Sequence, residues 1–263
     1  MSVYTKFAII GAGGVGGDIV DELLNKGDTS KPELQAFKAR GATLLQVSYD
    51  DHESIKRALG GSEVAVSALS GFQMHVQKAI VPAAKEAGYG VPVAEGPNAV
   101  KKEVQDALKQ HDLPFATFNS GVFAEFLAMY FGYHYAEGYM TVVRKGETPF
   151  SITARRDLAR FAAHVLSTTP KSELAGARFR FEADRLSPMQ IRALAEKKLN
   201  KKIEVRYVDF EENKKKFDTD FMAFLTTIFE DGRGAVGTQE EVAATAAKYF
   251  PDWNPAKYET FIQ

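Results

Sequence analysis

Near the start of the chain, Gly11-Ala12-Gly13-Gly14-Val15-Gly16 spaces three glycines as G-x-G-x-x-G. Bare backbone at those three positions can turn tightly, approach a diphosphate closely, and let a helix pack hard against a strand. The flanking residues give the spacing its meaning. Phe7–Ile10 is an unbroken apolar run, as a buried parallel strand requires. Val15, Ile19, Leu23 and Leu24 then recur at helical spacing, which predicts a helix from about Gly14 to Lys26. The first turn of such a helix offers unpaired N–H groups and a partial positive charge, the chemistry that holds phosphate. Gly11, Gly13, Gly14, Val15 and Gly16 are therefore the expected phosphate contacts, set against the plainer reading of a turn that only joins strand to helix.

Other chemistry is sparse. The chain has no cysteine, which excludes disulfides, thiol nucleophiles and cysteine-bound zinc. His52, His75, His111, His134 and His164 show no paired metal spacing, and no Y-x-x-x-K occurs. His134, between Tyr133 and Tyr135, could face a substrate, though a surface role is the plainer reading. Lys101 and Lys102 open a helix predicted to run to Gln110. The positive end of that helix disfavours a charged ammonium there, lowering its pKa in the direction proton transfer needs. Spacing alone is better described by two ordinary exposed lysines. Asp157, opening a helix after Arg155-Arg156, reads as a cap or ion-pair partner.

Positioning these residues requires alternating strands and helices. Pro32 begins a second helix, carrying Leu34 and Phe37 and ending before Gly41. Ala42–Tyr49 is predicted as a strand, and Asp50 with Glu53 as the capping box of a helix carrying Ile55 and Leu59. Glu63–Ser70 is the next strand, Val76–Ala87 the next helix, and Leu113–Gly121 a further strand. This alternation argues for a parallel sheet with helices on both faces. Two places break it. Asn25–Lys31 has no room for a strand, and Asp28, near the right distance to read a ribose, follows a helix end. From Ala87 to Pro97 only Val91–Val93 could be extended, and Pro92 interrupts it.

Beyond Gly121 the pattern changes. Phe123, Phe126, Tyr130 and Phe131 lie near helical spacing, as core packing or, if open, a face for a flat aromatic ligand. Strands are expected at Tyr139–Val143, Ala177–Ala183 and Lys202–Val208. Helices are expected at Arg155–Leu166, Ser187 to about Asn200, Phe217–Phe229 and Gln239–Tyr249. Ser187-Pro188-x-Gln190 joins a capping box to a proline at the first helical position. The chain thus divides into a dinucleotide-binding part, 1–135, and a smaller α+β lobe, 136–263, with some lobe elements packing back on the first sheet.

With 33 basic and 34 acidic side chains among 263 residues, the formal charge is −1, so no global basic field exists to hold nucleic acid. Lys214-Lys215-Lys216 follows Glu211 and Glu212 and reads as a solvated face. No stretch is long and apolar enough for a bilayer or a leader, which makes a soluble cytoplasmic protein the expectation.

Several segments together resemble the NmrA-like and isoflavone reductase-like proteins of the atypical short-chain reductase superfamily. They are "IIGAGGVGGDIV", "YDDHESIKRALGGSEVAVSALSG", "VKKEVQDALKQHDLPFATFNSGVFAEF", "MTVVRKGETPFSITARRDLARF" and "GTQEEV…YFPDWNP". The resemblance covers nearly the whole chain. It implies a Rossmann-type doubly wound α/β fold with a smaller C-terminal α+β lobe and an active site in the cleft between them. It further implies NADP as cofactor, with NAD open, on Gly11, Gly13 and Gly16. Ser67, Leu69, Ser70, Gly71 and Phe72 would pass under the ribose and nicotinamide, with Asn119, Gly121 and Val122 at the nicotinamide end. The catalytic lysine maps onto Lys101, with Lys102 the near alternative.

Two departures coincide with the missing strands. The family's second strand, ending in the basic residue that grips the 2′-phosphate, is absent between Lys26 and Pro32. The family's "PSEFG"-type segment is absent between Tyr89 and Val91. The chain therefore reads as internally shortened. Two functions follow: reduction of a small aromatic or carbonyl-bearing molecule by a monomer or homodimer, or dinucleotide sensing by a non-catalytic regulator.

Overall fold

The computed structural model describes residues 3–11, 14–23, 37–45, 47–68, 76, 80–83 and 99–263. The chain divides into two compact units. The first is Met1–Phe118 with Ala159–Phe179; the second is Asn119–Leu158 with Arg180–Gln263. Among the described residues the strands are, in chain order, β1 (Phe7–Ile10), β2 (Val64–Ser67), β3 (Thr117–Asn119), β4 (Val122–Phe123), β5 (Tyr133–His134), β6 (Tyr139–Val143), β7 (Phe150–Thr153), β8 (Arg178–Arg180), β9 (Asp184–Leu186) and β10 (Glu204–Val208). The helices are α1 (Val15–Leu23), α2 (His52–Leu59), α3 (Ala99–Gln110), α4 (Ala124–Phe131), α5 (Arg155–Thr168), α6 (Lys171–Leu174), α7 (Pro188–Leu199), α8 (Phe210–Lys214), α9 (Phe221–Ile228) and α10 (Gln239–Tyr249). No helix among these residues is long and apolar enough to cross a membrane.

In the first unit β1 and β2 pair in parallel, with Phe7 opposite Val64 and Ile10 opposite Ser67. Such pairing requires a long crossover, and the intervening residues include α1 and α2. The apolar face of α2 buries Ile55 and Leu59 with Ala65 of β2, Ile80, Val81 and Ala83, and Val104 and Leu108 of α3. These burials follow the spacing read from the sequence, and Phe37 is buried as well.

Two local expectations need correction. The cap of α2 is Asp51, not Asp50: its carboxylate accepts from Ser54 N at 3.0 Å, three residues on, which Asp50 would reach only if the helix began earlier. Ala42–Tyr49 forms no strand among its described residues. Among the described residues no strand pairs with it, and Leu44 and Leu45 stand exposed. The gaps at Lys26–Pro32 and Tyr89–Val91, Asp28, Leu34, Val91–Val93 and most of Val76–Ala87 lie outside the described residues.

One ion pair ties the first strand of this unit to a distant helix. Glu63 accepts from Lys171 Nζ of α6, and from Thr5 N at 2.9 Å and Lys6 N at 3.1 Å. The Lys171 ammonium, helped by the Thr5 amide, holds the Glu63 carboxyl at about 2. A depressed carboxylate pKa adds stability above the unfolded value near 4.5 and loses it as pH falls through the folded value. The gap in thermal midpoint between wild type and Lys171→Met should therefore be constant above about pH 5 and close as pH falls toward about 2. Melts across that range measure it, and a gap that persists at pH 2 contradicts the assignment.

The second unit packs two three-stranded sheets. β6 pairs in parallel with β10 and antiparallel with β5. β7 pairs in parallel with β4 and antiparallel with β9. Their shared core includes Leu127, Phe131, Met140, Phe150, Ile152, Ile191, Ile203 and Tyr258. Helix α7 starts and stops as its sequence requires. Ser187 Oγ accepts from Gln190 N and Gln190 Oε1 accepts from Ser187 N, Pro188 opens the first turn, and Asn200 closes the helix in the left-handed region.

Candidate nucleotide-binding site

Strand, turn and helix meet where the glycine spacing requires. After β1 the chain turns at Gly11, at φ 89°, and at Gly14, at φ 49°, before α1 begins at Val15. Both are conformations that side chains disfavour. Gly16 is buried, and a Cβ added there would stand 1.6 Å from the Gly11 carbonyl oxygen and 3.2 Å from Ala68 Cβ. The helix thus rests directly on the strand end, and only glycine fits at the contact. Asp18 N donates to Gly14 O at 3.0 Å, so the helical ladder starts within the turn. Gly13 lies outside the described residues.

Ala68 N donates to Ile10 O at 2.9 Å, carrying the β1–β2 ladder to the level of that turn. One residue earlier, Ser67 Oγ is buried and reaches no hydrogen-bond partner among the described residues. A hydroxyl in that position is expensive unless something polar meets it. The bare turn and the unsatisfied hydroxyl fit a polar ligand at this end of the sheet. Leu69, Ser70, Gly71 and Phe72 lie outside the described residues.

Lys101 and Lys102 fall in the first turn of α3, where the sequence places them; their side chains lie outside the described ones. One helical turn after Lys101, Gln105 is buried and its Nε2 has no partner among the described residues. Sequence reading passes over Gln105, because a glutamine within a helix carries no spacing signal.

In the second unit, the segment Asn119–Val122 is built around one glycine. Asn119 accepts from Phe181 N through its backbone, Ser120 is buried, and Val122 starts β4 opposite Ile152. Gly121 sits at φ 79°, and a Cβ there would stand 2.0 Å from Ser151 O. Ser151 is in turn a hub. Its Oγ bonds to Glu182 and accepts from Val236 N at 3.0 Å, and its N donates to Gly234 O. Glu182 also holds Arg185, whose Nε lies 2.9 Å from Oε1 and whose Nη2 donates to Gly237 O at 2.8 Å. Both charged side chains are largely buried. No sequence signal reveals this network, since Ser151 and Glu182 lie on separate segments.

The remaining candidates lie in the second unit. Asp157 is buried and accepts from Ala256 N at 2.8 Å, fixing the segment that leads to Tyr258. His134 is exposed and stacks on Tyr139. Phe131 is core, whereas Phe126, Tyr130 and Phe221 form a ring chain beside the exposed Met129 and Met222. Lys215 pairs with Glu212 on an exposed surface.

A parallel β–turn–α unit of this kind, with an obligate glycine at the helix–strand contact, defines a Rossmann-type α/β protein. Residues 5–93 match the NmrA-like family. Among similar proteins, phenylcoumaran benzylic ether reductase PT1 of Pinus taeda is 26% identical over 86% of this chain and 81% of its own. The solved structure of AtPrR2 in apo form aligns with a TM-score of 0.80 at 23% identity, over 98% of each chain. AtPrR2 with NADP+ and (+)pinoresinol aligns at a TM-score of 0.79 and 22% identity, covering 100% of this chain and 99% of that one. The resemblance stated from the sequence is borne out, and so is the α/β fold class.

Proposed function

We propose that this chain is an NADPH-dependent reductase of a small aromatic or carbonyl-bearing molecule. The observation that carries the reading is the Gly11–Gly16 contact, which seats the start of α1 directly on the end of β1. Support comes from the reductases named among the relatives and from the NADP+ and pinoresinol held by AtPrR2. The bound nicotinamide would supply the hydride. Gly11, Gly13, Gly14, Val15 and Gly16 would hold the diphosphate; Ser67 and Leu69–Phe72 would line the ribose side, and Asn119 and Gly121 the nicotinamide end. Lys101 would hold or deliver the proton. The ring chain of Phe126, Tyr130 and Phe221 suits an aromatic ligand. We place the protein in the cytoplasm, as a monomer or homodimer.

The test is a titration of intrinsic fluorescence with NADPH and NADH, followed by NADPH oxidation against carbonyl, quinone and lignan-like compounds. Saturable binding of NADPH and turnover of one compound class are expected. Lys101→Ala should lower kcat by about 100-fold, at the low end of what a positioned proton donor contributes, with NADPH affinity unchanged. Binding without turnover of any compound would favour a dinucleotide-sensing regulator. No response to either dinucleotide would refute both readings.

A further inference from the structure

The core of the second unit contains a polar atom that its neighbours do not satisfy. Tyr133, on β5, is 5% exposed, and its Oη has no hydrogen-bond partner among the described residues. Its ring packs on Phe131 and Tyr135 in the middle of the main hydrophobic cluster. The two neighbouring phenols are better placed, since Tyr135 Oη and Tyr258 Oη lie 3.0 Å apart and satisfy each other.

Tyr133 also lines a cavity of about 20 Å³ with Thr141 of β6, Thr148, Thr226 of α9, Phe229 and Glu230. That volume accommodates one water molecule and nothing larger. The lining is polar enough to hold one, since a buried water needs two to four partners. Thr148 Oγ1 donates to Glu230 O at 3.0 Å and keeps lone pairs free to accept. Burial raises the Glu230 carboxyl, against the pull of Arg144. Burial likewise raises the Tyr133 phenol, with Tyr258 and Glu230 adding to it, so the phenol keeps its proton and remains a donor.

We infer that this cavity is a built site for a single fixed water, which accepts from Tyr133 Oη and bridges it to the threonine and Glu230 groups around it. The water would join β5 and β6 to the turn of helix that follows α9. An unsatisfied hydroxyl would weaken the core here, whereas a bridged one fastens it.

The experiment pairs a crystal structure at high resolution with thermal melts of wild type and Tyr133→Phe. Density for one water within hydrogen-bond distance of Tyr133 Oη is expected, together with a midpoint lowered by a few degrees in the variant. The phenylalanine removes only the hydroxyl, so the fold itself is not at risk. A dry cavity overturns the inference. So does a raised or unchanged midpoint in Tyr133→Phe, the behaviour of a hydroxyl buried without a partner. Thr148→Val serves as a second variant, expected to lose or displace the same density; density that persists unmoved in it also overturns the bridge.

Discussion

Gly16→Ala is expected to abolish dinucleotide binding, lowering affinity by more than roughly 100-fold, and to destabilise the first unit by about 3 kcal/mol or more. The reason is geometric. The added Cβ would stand 1.6 Å from the Gly11 carbonyl oxygen and 2.8 Å from its carbon, and both are backbone atoms that no rotamer change can move aside. The strand end and the helix start must separate, and the amides that would face a diphosphate then lose their common direction. Gly60→Ala is a fair control. A Cβ there meets only the Arg57 carbonyl at 3.3 Å and the Lys56 carbonyl at 3.7 Å. Fluorescence titration and thermal melts of both variants measure the contrast. Unaltered NADPH affinity in Gly16→Ala would refute the placement of the phosphate site.

The second large effect is expected in the other unit. Arg185→Leu should cost about 3–5 kcal/mol, because it strands the Glu182 carboxylate in a buried setting with only Ser151 to answer its charge. The Gly237 carbonyl loses a donor at the same time. Arg185→Leu combined with Glu182→Gln should recover much of the loss, since no charge then remains to be compensated. Chemical denaturation of the single and double variants closes the cycle. Equal losses in both would show that packing, not charge, dominates. Ser151 links this network to the Gly121 turn, so the single variant should also disturb the segment Asn119–Val122.

The residues legible in advance share one property: their physical requirement is met within a few positions. Ser187, Pro188 and Gln190 satisfy each other across one helical turn, and the cap formed as read. Ile55 and Leu59 need only helical spacing to share a face, and both are buried. Gly16 is a local case too, because its partner Gly11 lies in the same turn. The failures are non-local. Ala42–Tyr49 has the composition of a strand, but a strand exists only where another offers a ladder. β9 was invisible for the opposite reason. Asp184–Leu186 carries two charged residues in three, and it is extended because Ile152 of β7 pairs with Asp184. Asp50 and Asp51 differ by one step of register, which the capping pattern alone does not resolve. The candidate site follows the same division: the glycine turn could be read, whereas the unsatisfied Ser67 and Gln105 and the Ser151 hub required coordinates.

The first unit is discontinuous, and this has a consequence for how the molecule is made. Its second stretch, Ala159–Phe179, supplies Lys171 to Glu63 and Phe179 to stack on Phe118 at 4.9 Å between ring centroids. During synthesis the glycine turn leaves the ribosome before Ala159–Phe179, and its unit lacks these fastenings until Phe179 has emerged. A truncated fragment ending at Phe118 should accordingly behave as a half-built domain, prone to aggregation and protease attack, whatever its motif promises.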